Sequence, residues 1–331
     1  MIDKELNLLC IGNALIDVFA RDEGFLLSSR FGIKRQVQHV EIEVLLRIIK
    51  ELPEYVTVSG GGAANVAKIA SLLGVKTGFT GSVGHDDFGK LFEKSLTEAD
   101  VKLNLKKSPS PTGICLVLEN GKGKTRIAAS PSASLELSQA HINEDYIKKG
   151  SIVLVDGFLF HKPDLVRHAL GLAAKNRITA AIDLSSREIA GDYANEILNY
   201  ARNDLIIFMN DEEAGAFYNG VKAQGLDAGN DIFSFFQSLT QDQPFPIIVL
   251  KLGEMGAITI SEGRIHSAET QVIIPKDTTG AGDAFCAAFL AAWQQKKPLS
   301  ECTALGNRAA RIILDVTGTR ADGMQLKNLF K

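Results

Sequence analysis

Short apolar runs that return at regular spacing constrain this chain most. They read "LNLLCIG" (6–12), "KTGFTGSVG" (76–84), "SIVLVDGFLF" (151–160), "TAAIDLS" (179–185), "DLIIFMN" (204–210) and "PIIVLKLG" (246–253). Helical patterns fall between them, at about 63–74, 86–99, 163–176, 188–201, 211–220 and 229–240. That alternation predicts an α/β fold, a mostly parallel sheet with helices on both faces. Runs such as "IIVL" lack polar alternation, as suits strands buried on both sides. Two more helices, at about 281–297 and 299–315, close the chain.

Two segments break the rhythm. "VFARDEGFLLSSRFGIKRQVQHVE" (18–41) has strand-like pieces but no clean helix. In "PTGICLVLENGKGKTRIAAS" (111–130) two β-prone runs flank Asn120-Gly121, a hairpin turn signal. Neither fits a parallel βα unit. They make either a small separate sheet that could serve as a lid or a pair of edge hairpins.

In open α/β sheets ligands bind beyond the carboxyl ends of the strands. Polar residues stand at those ends here: Asn13, Asp156, Asp183, Asn210 and the Lys251-Leu252-Gly253 corner. The stretch "DTTGAGDAF" (277–285) opens a helix whose apolar positions, Phe285, Ala288, Phe289, Ala292 and Trp293, form one stripe. The first N–H groups of such a helix lack partners within it, and its dipole adds about half a positive charge there. Gly280 and Gly282 let an anion approach the backbone. A Walker A loop would place a lysine after its last glycine, and this chain has Asp283. A carboxylate repels phosphate but can take a proton from an attacking hydroxyl. The loop can thus act as an anion hole with a base beside it. An aspartate in a first helical turn also serves simply as a cap.

"SGGGAANVAKIASLLG" (59–74) feeds glycines into a second helix, but the GxGxxG spacing of a dinucleotide loop is absent. The 331 residues suit one large α/β domain with insertions, or two domains. A net charge of −3 without any basic block disfavours nucleic acid or an anionic membrane as the main partner. The four cysteines form no CxxC, and three lie inside apolar runs, a pattern of reducing compartments. No signal peptide or 18-residue apolar run is present in the sequence, so a cytoplasmic location is expected. The six histidines are scattered and form no HExxH.

"DTTGAGDAFCAAF" closely resembles the C-terminal signature of the ribokinase-like, or PfkB, kinases of sugars and nucleosides, and "SGGGAANVAK" resembles their first signature. The resemblance spans about 6–320. It implies a ribokinase-like three-layer α/β/α fold in a single domain, with lid segments 18–41 and 111–130 inserted. It makes Asp283 the catalytic base and Gly280, Ala281 and Gly282 the anion hole. It puts Asn13, Asp17, Gly60, Gly61 and Asn65 on the acceptor's hydroxyls. "NDEE" (210–213) resembles the family's NxxE motif, so Asn210 would organise phosphate and Glu213 Mg²⁺, largely through water. "VLKLGEMGA" (249–257) would wall the ATP site with Lys251, Gly253 and Gly256, although many members carry threonine at the lysine's position. Asn307 would contact the nucleotide base. The resemblance thus implies ATP and Mg²⁺ and leaves room for a monovalent cation. Its partners would be a small sugar or nucleoside, in a monomer or homodimer.

"GNALID" (12–17) resembles the adenosine-kinase branch. "DLSSRE" (183–188) carries Ser185 where sugar-acid and fructose kinases often show Asn. The expected reaction is transfer of the γ-phosphoryl of ATP to a primary hydroxyl of an adenosine-like nucleoside or of a sugar. A free sugar such as ribose, fructose or 2-keto-3-deoxygluconate is the alternative acceptor. A non-catalytic sensor on the same fold is a third possibility.

Overall fold

The computed structural model describes residues 5–200, 205–225, 229, 231–241, 246–271, 273, 278–315, 326 and 328–329. Its strands are β1 (Leu8–Ile11), β2 (Leu15–Arg21), β3 (Val37–His39), β4 (Val56–Gly60), β5 (Thr77–Gly84), β6 (Lys102–Ser108) and β7 (Gly113–Glu119). They continue as β8 (Thr125–Ser130), β9 (Ile152–Asp156), β10 (Thr179–Asp183), β11 (Leu205–Asn210), β12 (Ile247–Lys251), β13 (Ala257–Ser261) and β14 (Arg264–Ala268).

The large sheet has the order β14-β13-β12-β11-β10-β9-β1-β5-β6. From β6 to β12 neighbouring strands are parallel. β13 and β14 add an antiparallel edge. Glu262 and Gly263 turn between them with φ of 51° and 68°, the left-handed pair that a two-residue hairpin needs. In β1, Leu8 and Cys10 face one core and Leu9 and Ile11 the other. Such a strand is apolar on both faces, which is why its run shows no alternation. Helices Gly62–Leu72, Asp87–Glu98, Ala281–Gln294 and Leu299–Leu314 cover the first face. Pro163–Lys175, Asp211–Ala223 and Ile232–Leu239 cover the second. The fold is the three-layer α/β/α arrangement expected from the sequence.

The helix Ala281–Gln294 is buried more fully than one apolar stripe implies, with every residue from Ala284 to Ala292 inside. It packs on the sheet, flanked by the helices Leu299–Leu314 and Gly62–Leu72, which rest on the same face. Phe289 meets Phe208 of β11 edge-on, ring centroids 5.3 Å apart. Small alanines elsewhere let two further helices close on it.

The second sheet, with the order β3-β8-β7-β2-β4, forms the lid. The segments 18–41 and 111–130 contribute to it, β2 begins earlier, at Leu15, and β4 comes from outside both. β4 was not foreseen because "VTVSG" sits between a helix and a glycine loop and looks like a connection. The β7–β8 turn spans five residues, and Asn120 Oδ1 accepts from the N–H groups of Lys122 and Lys124. Ile16, Val18, Ile114, Leu116 and Leu118 are buried in the same core as Leu45 and Ile48 of the helix Ile42–Glu51. The alternate positions Leu15, Cys115, Ile127 and Ala129 line a cavity.

Candidate active site

Parallel strands end on the same edge, so the polar residues at their carboxyl ends stand in a row. Asp156 of β9 is opposite Asp183 of β10, and Asn210 of β11 is opposite Lys251 of β12. The N-terminus of the helix Ala281–Gln294 comes to this edge. Gly280 is its N-cap, at φ 80°, a left-handed conformation in which glycine carries no penalty. Glycine has no side chain with which to cap the helix, and the helix turns its positive end toward this edge, where an anion is favoured. Asp277 lies outside the described residues.

Asp283 is half-buried, three residues into that helix. Desolvation pushes its carboxyl up to about 7, opposed by a hydrogen bond from Asn65 and reinforced by the charges of Asp183 and Asp156. Asn65 Nδ2 donates to Asp283 Oδ2 at 2.9 Å. Asn65 Oδ1 is buried and has no partner among the described residues. The first helix after β4 thus meets the loop before the last two helices, 218 residues apart in sequence.

The other expected acceptor residues gather beside this pair. Asp17 of the lid lies over Gly60, where a Cβ would fall 2.3 Å from its Oδ1. Gly61 has φ 97°, and a Cβ there would meet the Asn13 carbonyl oxygen at 2.2 Å. Both glycines are therefore forced by close approach of backbone and carboxylate. Burial pushes the Asp17 carboxyl up to about 6, against the pull of Lys68. Lys68 was not foreseen from sequence. Its Nζ donates to Ser59 O at 3.0 Å and Oγ at 2.8 Å, and burial brings its pKa down to about 8 despite Asp17. A lysine between Ala67 and Ile69, within an apolar helical run, was the available signal. Beyond Asn13 opens a cavity of about 290 Å³. Its walls include Leu15, His39, Cys115, Ile127, Phe158 and His161.

On the other side of the helix N-terminus is a cleft of about 330 Å³, whose walls include Gly253, Thr270, Thr278, Asn307 and Arg311. Gly253 has φ 59°, and among the described residues nothing lies within 4 Å of where its Cβ would be, so it leaves the cleft open. Gly256 is dictated by packing instead: at φ 86°, a Cβ would sit 2.3 Å from the Ala268 carbonyl oxygen. Asn307 is buried, and its Nδ2 donates to Ala268 O at 2.7 Å, pinning the end of β14 against the helix behind the cleft. Asn210 and Glu213 form a capping box. The Asn210 side chain accepts from Glu213 N–H, while Glu213 Oε2 accepts from Asn210 N–H at 2.9 Å and Oε1 from Asn210 Nδ2 at 3.0 Å. Burial, then the nearby Asp183 charge, raises the Glu213 carboxyl.

No group of three His, Cys, Asp or Glu side chains poised for a metal occurs among the described residues. One carboxylate with an amide beside it does not cage an ion. That donor set fits a hard cation that keeps most of its water and takes its remaining ligands from phosphate, as Mg²⁺ does.

A profile of the pfkB family carbohydrate kinases matches residues 6–325. The chain belongs to that family. The match carries phosphoryl transfer to a hydroxyl of a small sugar or nucleoside, with nucleotide binding. The chain is 27% identical to an adenosine kinase of Schizophyllum commune, covering 94% of this chain and 95% of that protein. It is 25% identical to a 5-dehydro-2-deoxygluconokinase of Bacillus licheniformis, covering 94% and 91%. Among solved structures, the adenosine kinase of Sinorhizobium meliloti superposes with a TM-score of 0.83 at 25% identity, covering 98% of both chains. A probable sugar kinase of Rhizobium etli superposes equally well, at 23% identity, which speaks for the fold alone. No described helix is long and apolar enough to cross a membrane, and all four cysteines are free.

Proposed function

We propose that this single-domain kinase transfers the γ-phosphoryl of ATP to a primary hydroxyl of a nucleoside. Asp283 is the general base. It accepts the hydroxyl proton as the acceptor oxygen bonds to phosphorus and the bond to the ADP leaving group breaks. A pKa near 7 suits this work, because about half of such a base is ionised at neutral pH and the ionised form is a competent proton acceptor. Gly280, Ala281 and Gly282 present helix N–H groups and dipole to the phosphoryl charge. Asn65 orients the Asp283 carboxylate. Asn13, Asp17 and the bare backbone at Gly60 and Gly61 receive the sugar hydroxyls. Nucleotide fills the cleft beside Gly253 and Asn307. Asn210 and Glu213 would hold a hydrated Mg²⁺, which offsets phosphate charge. The lid closes the acceptor cavity and excludes water.

The cavity beyond Asn13 carries the choice of acceptor. Its lining is mostly apolar, with Phe158 available to a flat ring and no arginine among the lining residues. Its one lysine, Lys162, already donates to the Leu135 and Leu137 carbonyls. Arg187, which ends the "DLSSR" stretch, is exposed and 4.0 Å from Glu212. A base can fill such a cavity, whereas a sugar acid would find there no guanidinium and one lysine already held by two carbonyls for its carboxylate.

The second reading, a free sugar or sugar acid as acceptor, is favoured by the gluconokinase relatives. ADP release with Mg²⁺ and ATP, measured across nucleosides, ribose, fructose and keto-deoxygluconates, separates the two. Turnover confined to the sugars would overturn the nucleoside reading. Tight binding of one compound without turnover of any would favour a sensor. With the best acceptor, Asp283→Asn should lower kcat by about 10²–10⁴-fold while ATP still binds. Near-normal turnover would remove Asp283 from the role of base.

A further inference from the structure

Lys251 lies closer to the chemistry than a wall of the ATP site would. Its Nζ is 2.9 Å from Asp183 Oδ1 and 3.1 Å from Oδ2, and the two side chains are only 16% and 14% exposed. The same Nζ is 3.5 Å from where a Cβ on Gly282 would sit. Among the described residues, apart from the neighbours Ala281 and Asp283, no other side chain, and no backbone outside that helix turn, comes within 4 Å of that point. The space over the helix N-terminus is therefore bounded by a cation. One turn on, Cys286 directs its thiol at Asp183 Oδ2, 3.3 Å away. Burial works against the Lys251 charge, but Asp183, with Cys286 and Glu213, outweighs it and holds the pKa above its usual value.

A purely structural Lys–Asp pair in a core contributes little, since desolvating two charges offsets most of their attraction. This pair is placed where an anion is expected. An ammonium has three N–H donors. Among the described residues the two Asp183 oxygens are its hydrogen-bond acceptors, which leaves a third donor for a ligand.

We propose that Lys251 is a catalytic cation that donates to the transferring phosphoryl group, and that Asp183 is the positioning residue that aims it. The proposal rests on the kinase reading above. Lys251 gives up no proton, because the acceptor's proton goes to Asp283. Its contribution is fixed positive charge at the phosphoryl oxygens while the new phosphorus–oxygen bond forms and the bond to ADP breaks. Asp183 keeps the ammonium charged and in place between turnovers.

Two measurements test this. With saturating ATP and acceptor, Lys251→Met should lower kcat by about 10²–10³-fold, the usual loss of one such donor, with the acceptor KM little changed. Asp183→Asn, which keeps the ammonium, should lose less. The double variant should be no slower than Lys251→Met, since Asp183 acts through the lysine. A lowered melting temperature with near-normal kcat, or multiplicative losses in the double variant, would overturn the assignment. The second measurement needs no known acceptor. Calorimetry compares Mg²⁺·ADP alone with Mg²⁺·ADP plus aluminium fluoride, a mimic of the phosphoryl in flight. Wild type should bind the fluoride complex more tightly. Lys251→Met and, more weakly, Asp183→Asn should lose that preference while ADP affinity holds. An equal preference in wild type and Lys251→Met, or none in wild type, would refute the role of Lys251. Failure of the kinase reading would show separately, as absence of ADP release by wild type across the whole acceptor panel.

Discussion

Removing the Asn65 amide should move the pH dependence of turnover. Asp283 must be ionised to take the proton, so kcat should rise with pH through about 7. Asn65 Nδ2 bonds Asp283 Oδ2 at 2.9 Å, and this bond favours the charged carboxylate. A hydrogen bond to a charged group contributes about 1.5–3 kcal/mol, and one pKa unit is about 1.4 kcal/mol. Asp283 is half-buried, so solvent screens part of that, and the low end applies: about one unit. In Asn65→Ala the carboxylate loses its donor, the anion becomes less favourable, and the acid limb should shift upward to about pH 8. At pH 7 the ionised fraction then falls from about half to about a tenth, a roughly fivefold loss in kcat that disappears above pH 9. The assay is kcat at saturating acceptor and ATP between pH 5.5 and 9.5. An acid limb that stays put or moves down would refute the argument. A rise in acceptor KM alone would show that Asn65 touches only the acceptor and does not tune the base.

The remaining expectations concern close packing and charge. Gly60→Ala places a methyl within 2.4 Å of all three Asp17 carboxyl atoms, so Asp17 must move and the acceptor KM should rise at least tenfold, with the ATP KM unchanged. Equal KM values for the acceptor in both proteins would show that Asp17 does not bind it. Asp283→Asn should also stabilise the fold, with a definite pH signature. The folded pKa, about 7, lies above an unfolded carboxylate's value of about 4. Wild type therefore loses stability as pH rises from 4 through 7, and the variant does not. Its gain in melting temperature should be near zero at pH 4 and largest above pH 7. A gain that is greatest in acid would contradict the sign of the shift.

Much of the fold was legible because core-facing periodicity is local. β1, β5, β9, β10, β11 and β12 fall inside the six apolar runs, and the polar last residues of β9 to β12 mark the edge where the candidate site lies. Elements whose apolar content is small, or whose partners are distant, were missed. β6, "KLNLKKS", carries only two apolar residues as the edge strand next to β5 and reads as a loop. β13 and β14 lengthen the sheet through a turn that period alone does not announce. Asn307 lines the cleft where nucleotide was expected, and its amide also bonds the Ala268 carbonyl, on which Gly256 packs closely. Motif identity could not reveal this, since an amide or a glycine suits either job. The NxxE pair also forms a capping box, with each Glu213 oxygen bonded to Asn210, a local job that the motif does not announce.

The sequence alone settled residue types and their order: strand, glycine turn, helix, and an aspartate where a phosphate loop would carry lysine. Those features depend on neighbours within a few positions, and a chain carries them openly. It could not settle which charges share a space. Asn65 finds Asp283 across 218 residues, and Lys251 finds Asp183 across 68. Parallel strands joined by buried helices bring such distant groups to one edge. Only there does desolvation raise one carboxyl toward neutrality, while a neighbouring carboxylate holds one ammonium charged. A carboxyl in the first turn of a glycine-led helix is thus written in the motif, and its tuning belongs to the packing around it.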